Sequence, residues 1–86
     1  MSNNKIFVKL YVPKMDLQYE IFLPLNKTIH EIILLLVKAI KEFSGGYYNP
    51  EATTPMLYDK STAKPFDVNI TVIESTIRNG SEIILI

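Results

Sequence analysis

The sequence contains no cysteine, no tryptophan, a single histidine and only three glycines. Without cysteine there is no disulfide, no thiolate metal site and no thiol redox chemistry, a pattern that fits a reducing compartment. One histidine leaves no spacing of metal-ligand type. Two of the glycines are adjacent, Gly45 and Gly46, but a phosphate-binding loop needs more glycines and a helix opening directly after them. A helix cap followed by a turn is the expectation there. Long apolar runs are also missing. The longest, Ile32 to Val37, is six residues, far short of the ~20 that span a bilayer. Met1 to Lys5 carries no apolar core of a secretory signal. Nor is there an excess of either charge, since nine Lys and Arg balance nine Asp and Glu. That argues against nucleic acid, which demands a basic face, and against a polybasic membrane anchor. The expectation is a soluble, cytoplasmic protein. Its 86 residues form a single domain over 1–86 with a frayed start at 1–4, and it has no direct membrane insertion and no cofactor.

What is present organises itself around one helix. Thr28 and Glu31 have the Thr-x-x-Glu spacing of a capping box, in which the hydroxyl and the carboxylate satisfy each other's backbone amides. From there the apolar positions Ile29, Ile32, Ile33, Leu36, Ala39, Ile40 and Phe43 recur at helical period and form the core-facing stripe. Gly45 ends the helix, where a left-handed conformation is cheap only for glycine. Leu34 falls in the middle of the polar face and Leu35 at its margin. His30 shares that polar face, where it is solvated.

Strands flank the helix. Lys5 to Val12 alternates Ile6, Val8 and Leu10 on one face with Phe7, Lys9 and Tyr11 on the other. A short turn at Pro13 to Asp16 leads to Leu17 to Leu23, where Leu17, Tyr19, Ile21 and Leu23 oppose Gln18, Glu20 and Phe22. So short a link makes the two strands antiparallel neighbours. After the helix, Ser44 to Pro55 has loop composition, with Tyr47 and Tyr48 expected over the helix end. Met56 to Asp59 is a third strand and Pro65 to Val68 a minimal fourth strand or extended piece, which Pro65 restricts to an edge. Thr71 to Glu74 repeats the capping-box spacing with room for one helical turn. Ser81 to Ile86 closes the chain as a strand whose apolar run predicts a central place, covered on both faces. If the first and last strands lie side by side, the crossover makes them parallel.

Alternation leaves Phe7, Tyr11, Phe22, Ile84 and Ile86 on the sheet face away from the helix. Apolar residues gathered like this mark an interaction site. The alternatives are a weak homodimer, or cover by the tyrosines of the loop. No carboxylate pair is fixed by the spacing of Asp59 and Glu82, and a domain of this size has little room for a catalytic pocket, so an enzyme is not expected.

The order strand–strand–helix–strand–strand–turn–strand resembles the ubiquitin-like β-grasp. Ile6-Phe7-Val8-Lys9 looks like ubiquitin's opening strand and Thr28-Ile29 like its helix start. More narrowly, the chain is similar to the YukD/EsaB-type ubiquitin-like proteins of Gram-positive type VII (WXG100) secretion loci. Leu23-Pro24-Leu25 with Thr28, Leu57-Tyr58-Asp59, and Ile77 through Ile86 carry that likeness, which spans roughly residues 5 to 86. It implies an α+β fold: a mixed four- to five-stranded sheet on one main α-helix, with a short helical turn before the last strand. It implies a non-enzymatic module of bacterial secretion. The expected binding residues are Phe7, Lys9, Leu57, Ile84 and Ile86 on the outer sheet face, with Leu34 on the helix. Leu57 joins by similarity to the face that ubiquitin offers its readers. The implied partner is a membrane component or ATPase of the secretion machine. Ubiquitin and the sulfur carriers end in Gly-Gly, whereas this sequence ends in Ile86, so conjugation is not expected. The other readings are a modifier or sulfur carrier with a truncated tail, or an adaptor domain in another pathway.

Overall fold

The computed structural model describes residues 4–50 and 55–86; the expectations for Met1 to Asn3 and for the loop over 51–54 lie outside the described residues. β1 (Lys5–Val12) and β2 (Leu17–Pro24) form an antiparallel hairpin joined by a 3₁₀ turn at Pro13–Met15. Asp16 closes that turn in the left-handed region at φ 51°. Asn4 is not frayed, because its carbonyl accepts the amide of Leu25 at 2.7 Å.

α1 (Ile29–Phe43) starts where the capping box predicts. Thr28 Oγ1 accepts from the Glu31 amide at 3.2 Å, and the Glu31 carboxylate accepts from the Thr28 amide at 3.0 Å. The orphan amides of a first helical turn must find partners. Here Ile29 donates to the Ile70 carbonyl, His30 to that of Val68 and Ile32 to that of Thr28. The helix ends in a Schellman arrangement: Gly46 donates to Lys41, Gly45 to Glu42, and both glycines take positive φ.

β3 (Leu57–Asp59) and β4 (Ser81–Leu85) complete a four-stranded sheet in the order β2-β1-β4-β3. β1 and β4 are parallel, and β3 runs antiparallel to β4. Of the two expectations for Pro65 to Val68 the extended piece forms, bridging antiparallel to Tyr58 at Pro65 without becoming a strand. Pro65 has no amide to give a ladder, and only Phe66 to Leu57 and Asp59 to Lys64 bond across. That segment nonetheless covers the outer side of β3. Over Thr71 to Glu74 the second capping box is in place, and Ser75 donates to Thr71 to close one turn.

The core lies between the sheet and α1. It is built from Ile6, Val8, Leu10 and Val12 of β1, Ile83 and Leu85 of β4, and Ile29, Ile32, Ile33, Leu36 and Ile40 of α1. The buried stripe of α1 is thus narrower than the periodicity predicts. Ala39 is half-buried, and Phe43 is exposed against Tyr19, with ring centroids 5.9 Å apart. At that end α1 overhangs β2, the last strand of the sheet, so among the described residues no further element lies beneath the ring. β4 is central, but only its inward residues are buried. Ile84 is half-buried and Ile86 exposed, because nothing among the described residues covers the outer face.

Candidate interaction surface

Strand pairing sets the outer face in rows, since residues opposite each other share a face. Phe22 pairs with Phe7. Glu20 pairs with Lys9, which in turn pairs with Glu82. Gln18 pairs with Tyr11, Tyr11 with Ile84, and Ile84 with Tyr58. Beyond β4, Ile86 and Met56 exchange backbone hydrogen bonds of 3.0 and 2.7 Å.

The sequence places Phe7 and Ile84 in one patch; the structure separates them. Phe7 and Tyr11 are four positions apart along β1, roughly 13 Å at the rise of a strand. Phe7 instead packs on Phe22 at 5.7 Å between centroids. Between the two apolar ends runs a belt of alternating charge, Glu20, Lys9 and Glu82. The Tyr11 hydroxyl donates to Glu82 Oε2 at 2.8 Å, Lys60 Nζ stands 3.8 Å from the same oxygen, and Lys60 also lies 4.2 Å above the Tyr11 ring. The hydrogen bond from Tyr11, and then the charge of Lys60, hold the Glu82 carboxyl below its usual range. All three side chains are accessible, so this belt adds little to stability.

Leu57 is not on this face. It is fully buried in the core. It pairs with Leu85, which points toward α1, so its side chain follows. The outward residue of β3 is Tyr58, and this is the residue that sequence reasoning missed. A three-residue strand is too short for alternation to set its own phase, although a polar-tipped tyrosine beside a leucine was a usable signal. Lys9 is half-buried within the belt, Ile86 is exposed, and Leu34 is exposed on the far side of α1, away from the outer face. The expected surface therefore reduces to Ile84, Ile86, Tyr58 and Met56 at one end, the charged belt, and Phe7 with Phe22 at the other.

The loop tyrosines do not cover this face. Tyr48 is buried in the core, its amide bonded to Ser44 Oγ at 2.8 Å, and Tyr47 is exposed. Burial raises the pKa of the Tyr48 phenol. The Asp59 carboxylate serves its own turn by accepting from Ser61 and forms no pair with Glu82. Among the described residues no cluster of potential metal ligands occurs, and no helix is long and apolar enough to cross a membrane.

Topology, register and the single covering helix define a ubiquitin-like β-grasp domain. No family model and no curated protein matches the sequence. Solved structures do match the fold. The EccD5 ubiquitin-like domain from Mycobacterium xenopi is 18% identical with a TM-score of 0.77, over 98% of this chain and 94% of that one. A chain of the MycP5-free ESX-5 inner membrane complex is 12% identical with a TM-score of 0.78, over 98% of this chain but only 21% of its own length. The ubiquitin-like domain of an Arabidopsis thaliana protein is 17% identical with a TM-score of 0.69, over 99% of this chain and 79% of that one. At such identities the likeness establishes the fold.

Proposed function

We propose that this chain is a non-enzymatic, cytosolic protein-interaction module of a type VII secretion machine, of the YukD/EsaB kind, which docks a membrane component or ATPase through the outer face of its sheet. The observation that carries this reading is the near end-to-end likeness to the EccD5 ubiquitin-like domain, joined to an uncovered sheet face. A fold does not carry function by itself, and the face is where a site can sit. Ile84, Ile86, Tyr58 and Met56 offer the apolar contact, and Glu20, Lys9, Glu82 and Lys60 set its register on a partner of matching charge. Phe7 with Phe22 is a second anchor on the same face.

The test is binding to purified cytoplasmic segments of a type VII membrane component and of the ATPase, measured by calorimetry. Ile84→Asp should weaken binding by at least ~30-fold, the scale of a central anchor; Asp at a half-buried site in a central strand also lowers the melting temperature, so binding is measured well below it, with the fold checked by the amide NMR spectrum. Unaltered affinity would remove the outer face from the mechanism. Failure of every segment to bind the intact domain would remove the secretion reading itself.

A further inference from the structure

Asn79 is the one asparagine of the sequence that is followed by glycine. Such a pair can modify itself. Glycine has no side chain to crowd its own amide nitrogen, so that nitrogen can attack the side-chain carbonyl carbon of the preceding asparagine. The new C–N bond closes a succinimide ring, and the side-chain amide leaves as ammonia. Water then opens the ring at either of its carbonyls. One opening gives aspartate. The other, the commoner, gives isoaspartate, in which the main chain runs through the former side chain and is one methylene longer. Nothing is oxidised or reduced. The reaction needs only water, a free Gly80 nitrogen and a free Asn79 side chain.

The fold holds both of those groups, and it holds them with one residue of β1. The Gly80 amide donates to the Phe7 carbonyl at 2.8 Å, and Asn79 Oδ1 accepts from the Phe7 amide at 3.0 Å. The two bonds zip the end of the parallel ladder just ahead of Ser81, the residue of β4 that pairs with Val8. For the ring to close, the Gly80 nitrogen must give up its proton and the Asn79 carboxamide must swing from Phe7 onto that nitrogen. Each motion breaks one of the two hydrogen bonds. Asn79 and Gly80 are both exposed, so water is at hand and burial is not what protects the pair.

The turn itself demands these residues. Ser81 donates its amide to the Arg78 carbonyl at 2.9 Å, and the Arg78 amide donates to Ser81 Oγ at 2.8 Å. Gly80 sits at φ 86°, the third position of a turn of type II, where glycine is favoured. A side chain there would meet nothing within 4 Å, so the backbone conformation, and not crowding, calls for glycine. Asparagine supplies the acceptor for the Phe7 amide. The reactive pair is thus built into the junction of β1 and β4.

We propose that Asn79-Gly80 is a self-modification site gated by Phe7, closed while β1 and β4 are zipped at this end and reactive when they part. The change is one-way. A main chain lengthened at position 79 no longer returns the Gly80 amide to the Phe7 carbonyl in register, so isoaspartate leaves a domain loosened at this junction. Aspartate keeps a side-chain oxygen for the Phe7 amide and leaves the junction intact. The reaction is the chain's own and needs no partner.

The experiment incubates the intact chain at neutral pH, in native buffer and in rising urea up to full unfolding. Peptide mapping by mass spectrometry follows conversion at every asparagine, and isoaspartyl methyltransferase labelling separates the two products. Amide exchange of Gly80 is read by NMR over the urea concentrations at which the domain is folded. In the unfolded chain, conversion should concentrate at Asn79. In the folded chain it should be at least ~10-fold slower, by the same factor that protects the Gly80 amide from exchange, because both need that amide off the Phe7 carbonyl. Ser81→Ala removes only the hydroxyl that takes the Arg78 amide, and should speed native conversion and Gly80 exchange alike, by ~5-fold. Asn79→Asp should melt with the parent, and the purified isoaspartyl form should melt below it. The proposal is overturned if folded and unfolded chains convert at one rate or if Ser81→Ala changes one of the two rates without the other. It is equally overturned if the isoaspartyl form melts with the parent.

Discussion

Glu82 shows how one side chain can tie three strands' worth of surface together without being buried. It takes a hydrogen bond from Tyr11 of β1 and stands beside Lys60, just past β3. Its pKa is depressed first by Tyr11 and then by Lys60. Tyr11→Phe removes the larger cause while keeping the ring under Lys60. The Glu82 carboxyl should then move up toward the ordinary glutamate value of about 4.3, stopping short because Lys60 remains. Carbon-detected NMR titration of the side-chain carboxyl reads this directly, and an unmoved titration would mean that the hydrogen bond is not populated in solution. The same residue explains why the outer face is not one apolar patch. Alternation along β1 gives the face of Phe7 and of Tyr11, but the distance between them along the strand, and the charged row between, come from the register with β2 and β4.

Among the elements, α1 was the most legible from sequence, and for local reasons. A capping box and a C-terminal glycine act within one turn, so Thr28, Glu31 and Gly45 mark the ends of the helix without help from the fold. Thr28→Ala removes the hydroxyl that accepts from the Glu31 amide. It should cost about 1 kcal/mol, a fall of roughly 4–8 °C in melting temperature for a domain of this size, measurable by calorimetry. What α1 buries was less legible. Periodicity places Phe43 in the core, yet the ring rests on Tyr19 at the edge of the sheet. A helical wheel tells which side faces inward; it does not tell how far the sheet extends beneath it. β3 fails in the opposite direction. Its strand character is clear, but three residues could not fix whether Leu57 or Tyr58 points inward, and only the pairing with β4 decides it.

For the molecule as a whole, three glutamates with lowered pKa link folding to acid pH. Glu31 and Glu74 are held below their usual range, each chiefly by the backbone amide of its capping threonine, and Glu82 chiefly by Tyr11. A carboxyl whose folded pKa lies below its unfolded value contributes stability that is complete above the unfolded value and lost as pH falls through the folded one. The melting temperature should therefore be flat from neutrality down to about pH 5 and decline below about 4.3. Glu31→Gln keeps an acceptor for the Thr28 amide and removes the titration, so the acid limb should be shallower in thermal melts taken across pH. An identical limb would assign acid unfolding to other groups.

The sequence by itself determined the main elements and their order, both capping boxes, the antiparallel hairpin, the parallel sense of the first and last strands once they pair, and the single helix over one sheet. Those follow from interactions within a few residues, or from connection rules that leave few alternatives. Tertiary structure alone decided what is available to a partner. It buried Leu57, divided Phe7 from Ile84 by a charged row, and brought Tyr58 to the outer face. It also covered the β3 edge. The physical reason is that burial and juxtaposition are properties of register and of where a sheet ends. A side chain one strand away in space is set by hydrogen-bond pairing between segments as much as 72 residues apart in sequence, such as Phe7 and Asn79, and no local pattern encodes that pairing.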